Sequence, residues 1–171
     1  GWGRTSPSVA EVKDLVPGSL PDALRHVGAR GALMRGLGRS YGDAAQNAGG
    51  TVLRLLGGTG DVHLDRQSAT VRVGAGVSID DLLRVLVPEG FFVPVTPGTR
   101  FVTIGGAIAS DIHGKNHHAE GSIGDHIRSI TMVLADGSTV VVGPDHAAAL
   151  FSAPVGGMGL TGAIVDAIIA V

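Results

Sequence analysis

Apolar and polar positions along this chain fall into short runs, and most of the runs alternate with the period of a strand. Residues 32–35 read as a buried strand running into a glycine loop, and residues 52–56 as a second strand. Residues 62–65 and 70–73 alternate on either side of a polar turn and predict a hairpin. Residues 127–135 and 138–142 predict another, joined at Asp136-Gly137, a dipeptide suited to a tight turn. Residues 162–171, rich in Ile, Val and Ala, predict a last strand. Helical spacing is rarer. It is clearest over 78–87, where Ser78 and Asp81 fit a capping pattern and Ile79, Leu82, Leu83 and Leu86 share one face. Shorter helices are expected over 19–28, between Ser19 and Gly28, and over 145–151. No internal repeat interrupts the pattern. Many strands and few helices make an α+β fold.

Composition narrows the function classes. Hydrophobic residues are 44% of the 171 and charged residues 16%, which is a globular and not a disordered composition. A net charge of −2 leaves no electrostatic footprint for nucleic acid. With no cysteine, disulfides, thiolate metal sites and cysteine catalysis are excluded. No apolar stretch reaches the roughly 20 residues a membrane helix needs. Glycine numbers 28 of 171, well above the usual share of about 7%, and the glycines cluster at the ends of apolar runs. The chain begins at Gly1 without Met and stops on an apolar strand, so it is expected to be a cut piece of a longer protein.

Three glycine-bearing segments carry the candidate chemistry. In residues 36–43, glycines at 36, 38 and 42 let the backbone turn sharply and aim several N–H groups into one concavity suited to phosphate oxygens. Arg39 adds a guanidinium fork and Ser40 a hydroxyl. Residues 157–162 match the dinucleotide pattern G-x-G-x-x-G, but a strand follows where a Rossmann loop needs a helix, so a nicotinamide fold is not expected. Residues 103–110 contain Gly105, Gly106, Ala107 and Ala109, small enough for a flat ring to approach the backbone. His113, His117 and His118 follow, with Asp111 and Glu120 nearby; their spacing matches no established zinc pattern, and no metal is expected. His113, next to the small-residue run, is the histidine expected to face a site.

Four blocks together, GWGRT at 1–5, RGLGRSYGD at 35–43, DIHGKNHH at 111–118 and VGGMGLTG at 155–162, resemble the FAD-binding domain of the vanillyl-alcohol oxidase (PCMH-type) flavoproteins. Within that superfamily they resemble the oxidases that act on a polyprenyl-phosphate ribose in the actinobacterial cell wall. The resemblance covers essentially the whole chain. It implies a PCMH-type domain of two small α+β subdomains over residues 1–171, incomplete, with the substrate domain and a C-terminal return segment missing. FAD is the implied cofactor. Met34, Arg35, Gly36, Leu37, Gly38, Arg39, Ser40, Tyr41, Gly42, Asp43 and Ala44 would wrap its pyrophosphate and adjoining groups. Gly98, Thr103, Ile104, Gly105 and Gly106 would continue the cradle. Ser110, Asp111, Ile112 and His113 would lie along the isoalloxazine, with His113 catalytic at the reacting face, and Ile164 would contact the adenine side.

The implied reaction is oxidation of the ribose 2′-hydroxyl to a ketone, with a partner reductase completing epimerisation. The implied setting is the cell envelope, with peripheral membrane association. Attachment of FAD is expected to be non-covalent, because the loop offers Arg39-Ser40-Tyr41 where covalent relatives carry a histidine. An oxidase of a free sugar, alditol or aldonolactone and a non-catalytic flavin-binding module are the alternatives; the 111–118 block favours the polyprenyl-phosphate ribose.

Overall fold

A computed structural model describes residues 2–4 and 6–171. Two sheets organise the chain. The first is parallel, with strand order β1-β3-β2, formed by β1 (Glu11–Leu15), β2 (Ala32–Met34) and β3 (Thr51–Leu55). The middle strand β3 buries Thr51, Val52, Leu53 and Leu55 and exposes only Arg54, as a strand covered on both faces does. Arg54 donates to Asp14 of β1 through Nε at 2.6 Å and Nη2 at 2.8 Å. That hydrogen bond holds the Asp14 carboxyl below its ordinary range. Helix α1 (Leu20–Arg25) makes the crossover from β1 to β2, with Leu20 fully buried.

The second sheet is antiparallel, with order β4-β5-β8-β6-β7, formed by β4 (Val62–Asp65), β5 (Thr70–Gly74), β6 (Ile127–Val133), β7 (Thr139–Val142) and β8 (Ala163–Ala170). The two expected hairpins, β4–β5 and β6–β7, are both present, and β8 enters between them and pairs with β5 and β6. Helix α2 (Ile79–Leu86) covers this sheet with Ile79, Leu82 and Leu86 buried. Its cap is the expected one, with the Asp81 N–H donating to the Ser78 hydroxyl at 3.1 Å. The α+β class and the two-part organisation match the sequence-based expectation. So does the strand after residues 157–162: β8 begins at Ala163, so that glycine pattern opens a strand and not a Rossmann helix.

Several elements differ from expectation. β1 has a mostly exposed, polar surface (Glu11 to Asp14), so its side chains carry no strand period; parallel hydrogen bonding to β3 makes it a strand. Residues 104–109 form a helix, α3 (Ile104–Ala109), although two glycines sit in its first turn. A one-turn helix α4 (His117–Glu120) carries the two exposed histidines, and α5 (Ala148–Phe151) starts three residues later than expected because Ala147 is left-handed at φ 56°. α1 ends at Arg25 and not at Gly28, and the Ser19 hydroxyl donates back to the Val16 carbonyl instead of capping the helix.

Candidate functional site

A cleft of about 790 Å³ lies where the two sheets meet. Its volume is within the range of about 300–1,000 Å³ typical of ligand sites. The first sheet contributes Met34, Leu55 and the loop after β2; the second contributes Ala75-Gly76, α3 and Ile164.

The glycine loop forms one wall. Gly38 (φ 69°) and Gly42 (φ 60°) are left-handed, a conformation glycine adopts without a Cβ penalty. At Gly36 the constraint is space: a Cβ there would overlap the Thr103 hydroxyl. Among the described residues, no protein acceptor receives the backbone N–H groups of residues 36–42. Such a row of unsatisfied donors on a concave wall suits anionic oxygens. Arg35 is half-buried on the same wall and, among the described residues, has no carboxylate within ion-pair distance. Its guanidinium lies against Gly38, where an added Cβ would come within 2.6 Å of Nη2. Arg39 is more exposed; its Nη1 donates to the Leu37 carbonyl at 2.6 Å and its guanidinium carbon sits 4.9 Å from the Trp2 ring centre. The Trp2 N–H in turn donates to the Ser40 carbonyl at 3.0 Å, which ties the start of the chain to the loop.

The opposite wall is α3. Thr103 caps it, its hydroxyl accepting from the Gly106 N–H at 3.3 Å. The N–H groups of Ile104 and Gly105 donate to the carbonyls of Val77 and Ala75 at 2.8 and 2.9 Å. These bonds stabilise a short helix that its glycines would otherwise disfavour. The docking is close at Gly105, where an added Cβ would stand 3.0 Å from that of Ala75. The cleft face of α3 therefore presents Gly105, Gly106, Ala107 and Ala109, a floor low enough for a flat ring system.

Beyond α3 the wall continues through Ser110, Asp111, Ile112 and the exposed His113. The His113 ring meets His117 edge-on at 5.3 Å, and the His117 Nδ1 lies 3.1 Å from the Gly114 carbonyl. Among the described residues no group of three or more His, Cys, Asp or Glu side chains is arranged to hold a metal ion.

Most residues singled out in the sequence thus come to one place. Residues 34–41, Ala44, Gly98, Thr103, Gly105, Gly106, 110–113 and Ile164 all line the cleft. Gly42 and Asp43 flank it without lining it, and Ile104 points into the core at 1% exposure. The sequence pattern assigned no role to Trp2, Ala75 or Gly76, which also line the cleft. Gly76 has a detectable signal, a glycine just after a strand and before a capped helix; a Cβ there would overlap the Leu55 carbonyl. Of the 155–162 block, Met158, Gly159 and Gly162 reach the cleft. Gly1 and Thr5 of the first block lie outside the described residues.

The donor set fits a flavin dinucleotide: amides with no acceptor among the described residues and two guanidinium groups suit a pyrophosphate, and a glycine-alanine floor suits a ring. Comparison with known proteins agrees. The FAD binding domain family matches residues 19–143. Decaprenylphosphoryl-beta-D-ribose oxidase of Mycolicibacterium smegmatis is 48% identical over 177 aligned positions, covering 99% of this chain and 38% of that protein. An alditol oxidase of a Streptomyces species is 31% identical over 117 positions, covering 68% of this chain and 28% of the relative. A D-lactate dehydrogenase of Anaerostipes hadrus is 29% identical over 102 positions, covering 60% and 22%. The chain spans less than two fifths of the length of these relatives. With residues 19–143 matched, this chain belongs to the FAD binding domain family, and its cofactor is FAD.

Proposed function

We propose that residues 1–171 are the cofactor-binding part of an enzyme that oxidises the 2′-hydroxyl of decaprenylphosphoryl-β-D-ribose or a close polyprenyl-phosphate ribose. The observation that carries the cofactor half of this reading is the row of N–H groups over residues 36–42 that no acceptor among the described residues receives, backed by Arg35 and Arg39. These groups hold the pyrophosphate, each charge-assisted bond being stronger than its neutral counterpart. Gly98 and the 103–106 turn continue the cradle, and Ile164 closes the adenine side. FAD, when bound, supplies the acceptor for the hydride leaving the carbinol carbon. Residues 110–113 lie along the ring, and His113 takes the hydroxyl proton, oriented by its edge-on contact with His117. Residues 36–42 contain no imidazole, which supports a cofactor held without a covalent bond.

The substrate side of the reading rests on the 48% identity to the M. smegmatis oxidase. The sugar-phosphate is held by a part of the enzyme outside residues 1–171, and a partner reductase consumes the ketone. We place the enzyme at the cell envelope, associated with the membrane peripherally; among the described residues no helix is long and apolar enough to cross a membrane. An alditol oxidase activity is the second reading, favoured by the 31% identical relative. Anaerobic flavin bleaching separates the two. Full-length enzyme should bleach with a polyprenyl-phosphate ribose and not with free alditols, whereas the 171-residue chain loaded with FAD should bleach with neither. Bleaching by alditols alone would reverse the order of the two readings. Bleaching of the short chain at the full-length rate would show that the substrate machinery lies within it.

A further inference from the structure

Helix α3 ends on an unusual residue. Ser110 is its C-cap, the Asp111 N–H donates to the Ile108 carbonyl at 3.0 Å, and the Ile112 N–H donates to the Ala107 carbonyl at 3.1 Å. This pair of bonds is a Schellman closure, which needs a left-handed residue immediately after the cap. Glycine is the usual occupant. Here it is Asp111, at φ 41°. A Cβ is strained in that region, and Asp tolerates it better than most residues without escaping the penalty.

The side chain shows what is gained. Asp111 Oδ1 accepts the Gly124 N–H at 3.1 Å. Gly124 has no room for a side chain, since its Cβ would stand 2.7 Å from Val155 Cγ1 and 3.0 Å from Asp111 Oδ1. Beside this bond the Ile123 N–H donates to the Ile112 carbonyl at 2.9 Å, and His113 pairs with Ser122 as an antiparallel bridge. From the other direction the N–H groups of Gly156 and Met158 donate to the Ile108 and Ala109 carbonyls at 3.0 and 2.8 Å. Residues 108–113, 122–124 and 156–158 thus pack together around Asp111 on the cleft wall, two residues before His113.

We propose that Asp111 is a positioning residue. Its carboxylate, kept where the backbone alone favours glycine, fixes the path of residues 110–113 along the cleft and so holds the His113 ring in one place. This inference rests on the FAD reading for the cleft's occupant, but the clamp itself is a property of the chain. D111G relieves the backbone and loses the tie to Gly124. D111N tolerates the same φ and offers an amide oxygen to the same N–H, so it restores the position without the charge.

Two measurements test this in wild type, D111G and D111N. The first is NMR of the His113 ring without cofactor, assigned with H113Q. A single set of signals is expected in wild type and D111N, and broadened or multiple signals in D111G. The second is FAD titration by flavin fluorescence. D111G should bind about tenfold more weakly because preorganisation is lost, and D111N should recover most of that loss. The thermal midpoint of D111G should stay close to that of wild type. A D111G protein with one His113 signal and wild-type affinity would overturn the proposal. D111N behaving like D111G would overturn it by showing that charge, not geometry, matters. D111G failing to fold would overturn it too, because glycine adopts this backbone more readily than aspartate. Failure of the wild type to bind FAD would count against the proposed function alone, and the His113 signals would still decide the clamp.

Discussion

Gly36→Ala tests whether the two walls of the cleft are built in van der Waals contact. The backbone at Gly36 is outside the left-handed region, so alanine is conformationally acceptable and the effect is purely steric. An added Cβ would overlap Thr103 Oγ1 and stand 3.1 Å from Cγ2 and 3.2 Å from Cβ. Thr103 is 6% exposed and caps α3, so it cannot swing aside without giving up its bond to the Gly106 N–H. Overpacking of this kind costs about 1–3 kcal/mol, and loss of an N-cap about 1 kcal/mol. The lower end of their sum, near 2 kcal/mol, corresponds to about 4–8 °C in the melting temperature of a domain this size. FAD affinity should fall with it, because the displaced groups line the cleft.

Thr103→Gly removes the three atoms nearest to the new Cβ, and glycine is a tolerable N-cap. G36A should therefore cost about 2 kcal/mol in the wild-type background and close to nothing in the T103G background. A double-mutant cycle by thermal or urea denaturation measures that difference. If G36A is as stable as wild type and binds FAD equally well, or if T103G does not rescue it, the contact between glycine loop and α3 is not what the distances imply.

Arg35→Gln should weaken FAD binding about tenfold while leaving the melting temperature unchanged, since a half-buried guanidinium with no carboxylate partner among the described residues is available for an anion; a matching drop in stability would instead make Arg35 structural. Acid precipitation of the full-length holoprotein should leave the flavin in the supernatant, and yellow colour in the washed pellet would contradict non-covalent attachment. The carboxyls of Asp14, Asp65 and Asp136 are held below their ordinary range by hydrogen bonds from Arg54, Ser68 and Ser138 respectively. Their contribution to stability is fully present above about pH 4, the unfolded value, and is lost as pH falls through the lower folded values. The urea midpoint should accordingly drop below about pH 4, less steeply in D14N, and a midpoint level down to about pH 3 would refute this.

Helix α2, the two hairpins and the last strand were legible from the amino-acid pattern because each is determined locally. In α2, Ser78 caps the first turn and Ile79, Leu82 and Leu86 repeat at helical spacing. In β6–β7, Asp136 and Gly137 supply the turn, Gly137 at φ 81°. The phosphate-binding role proposed for residues 36–42 was equally local, since it was read from glycines beside Arg39. What the tertiary structure decided is where those pieces meet. β1 has no strand pattern in its own side chains and exists because β3 offers it a parallel partner. α3 looks like a run of small residues and becomes a helix because Ala75 and Val77 accept its first N–H groups while Gly156 and Met158 donate to its last carbonyls. Gly76 and Trp2 came to line the cleft, and the left-handed Asp111 met Gly124, only once separate segments had been brought together. Spacing along the chain records periodicity and turn chemistry, but a glycine whose missing Cβ makes room for another segment is indistinguishable in sequence from one that merely turns the chain.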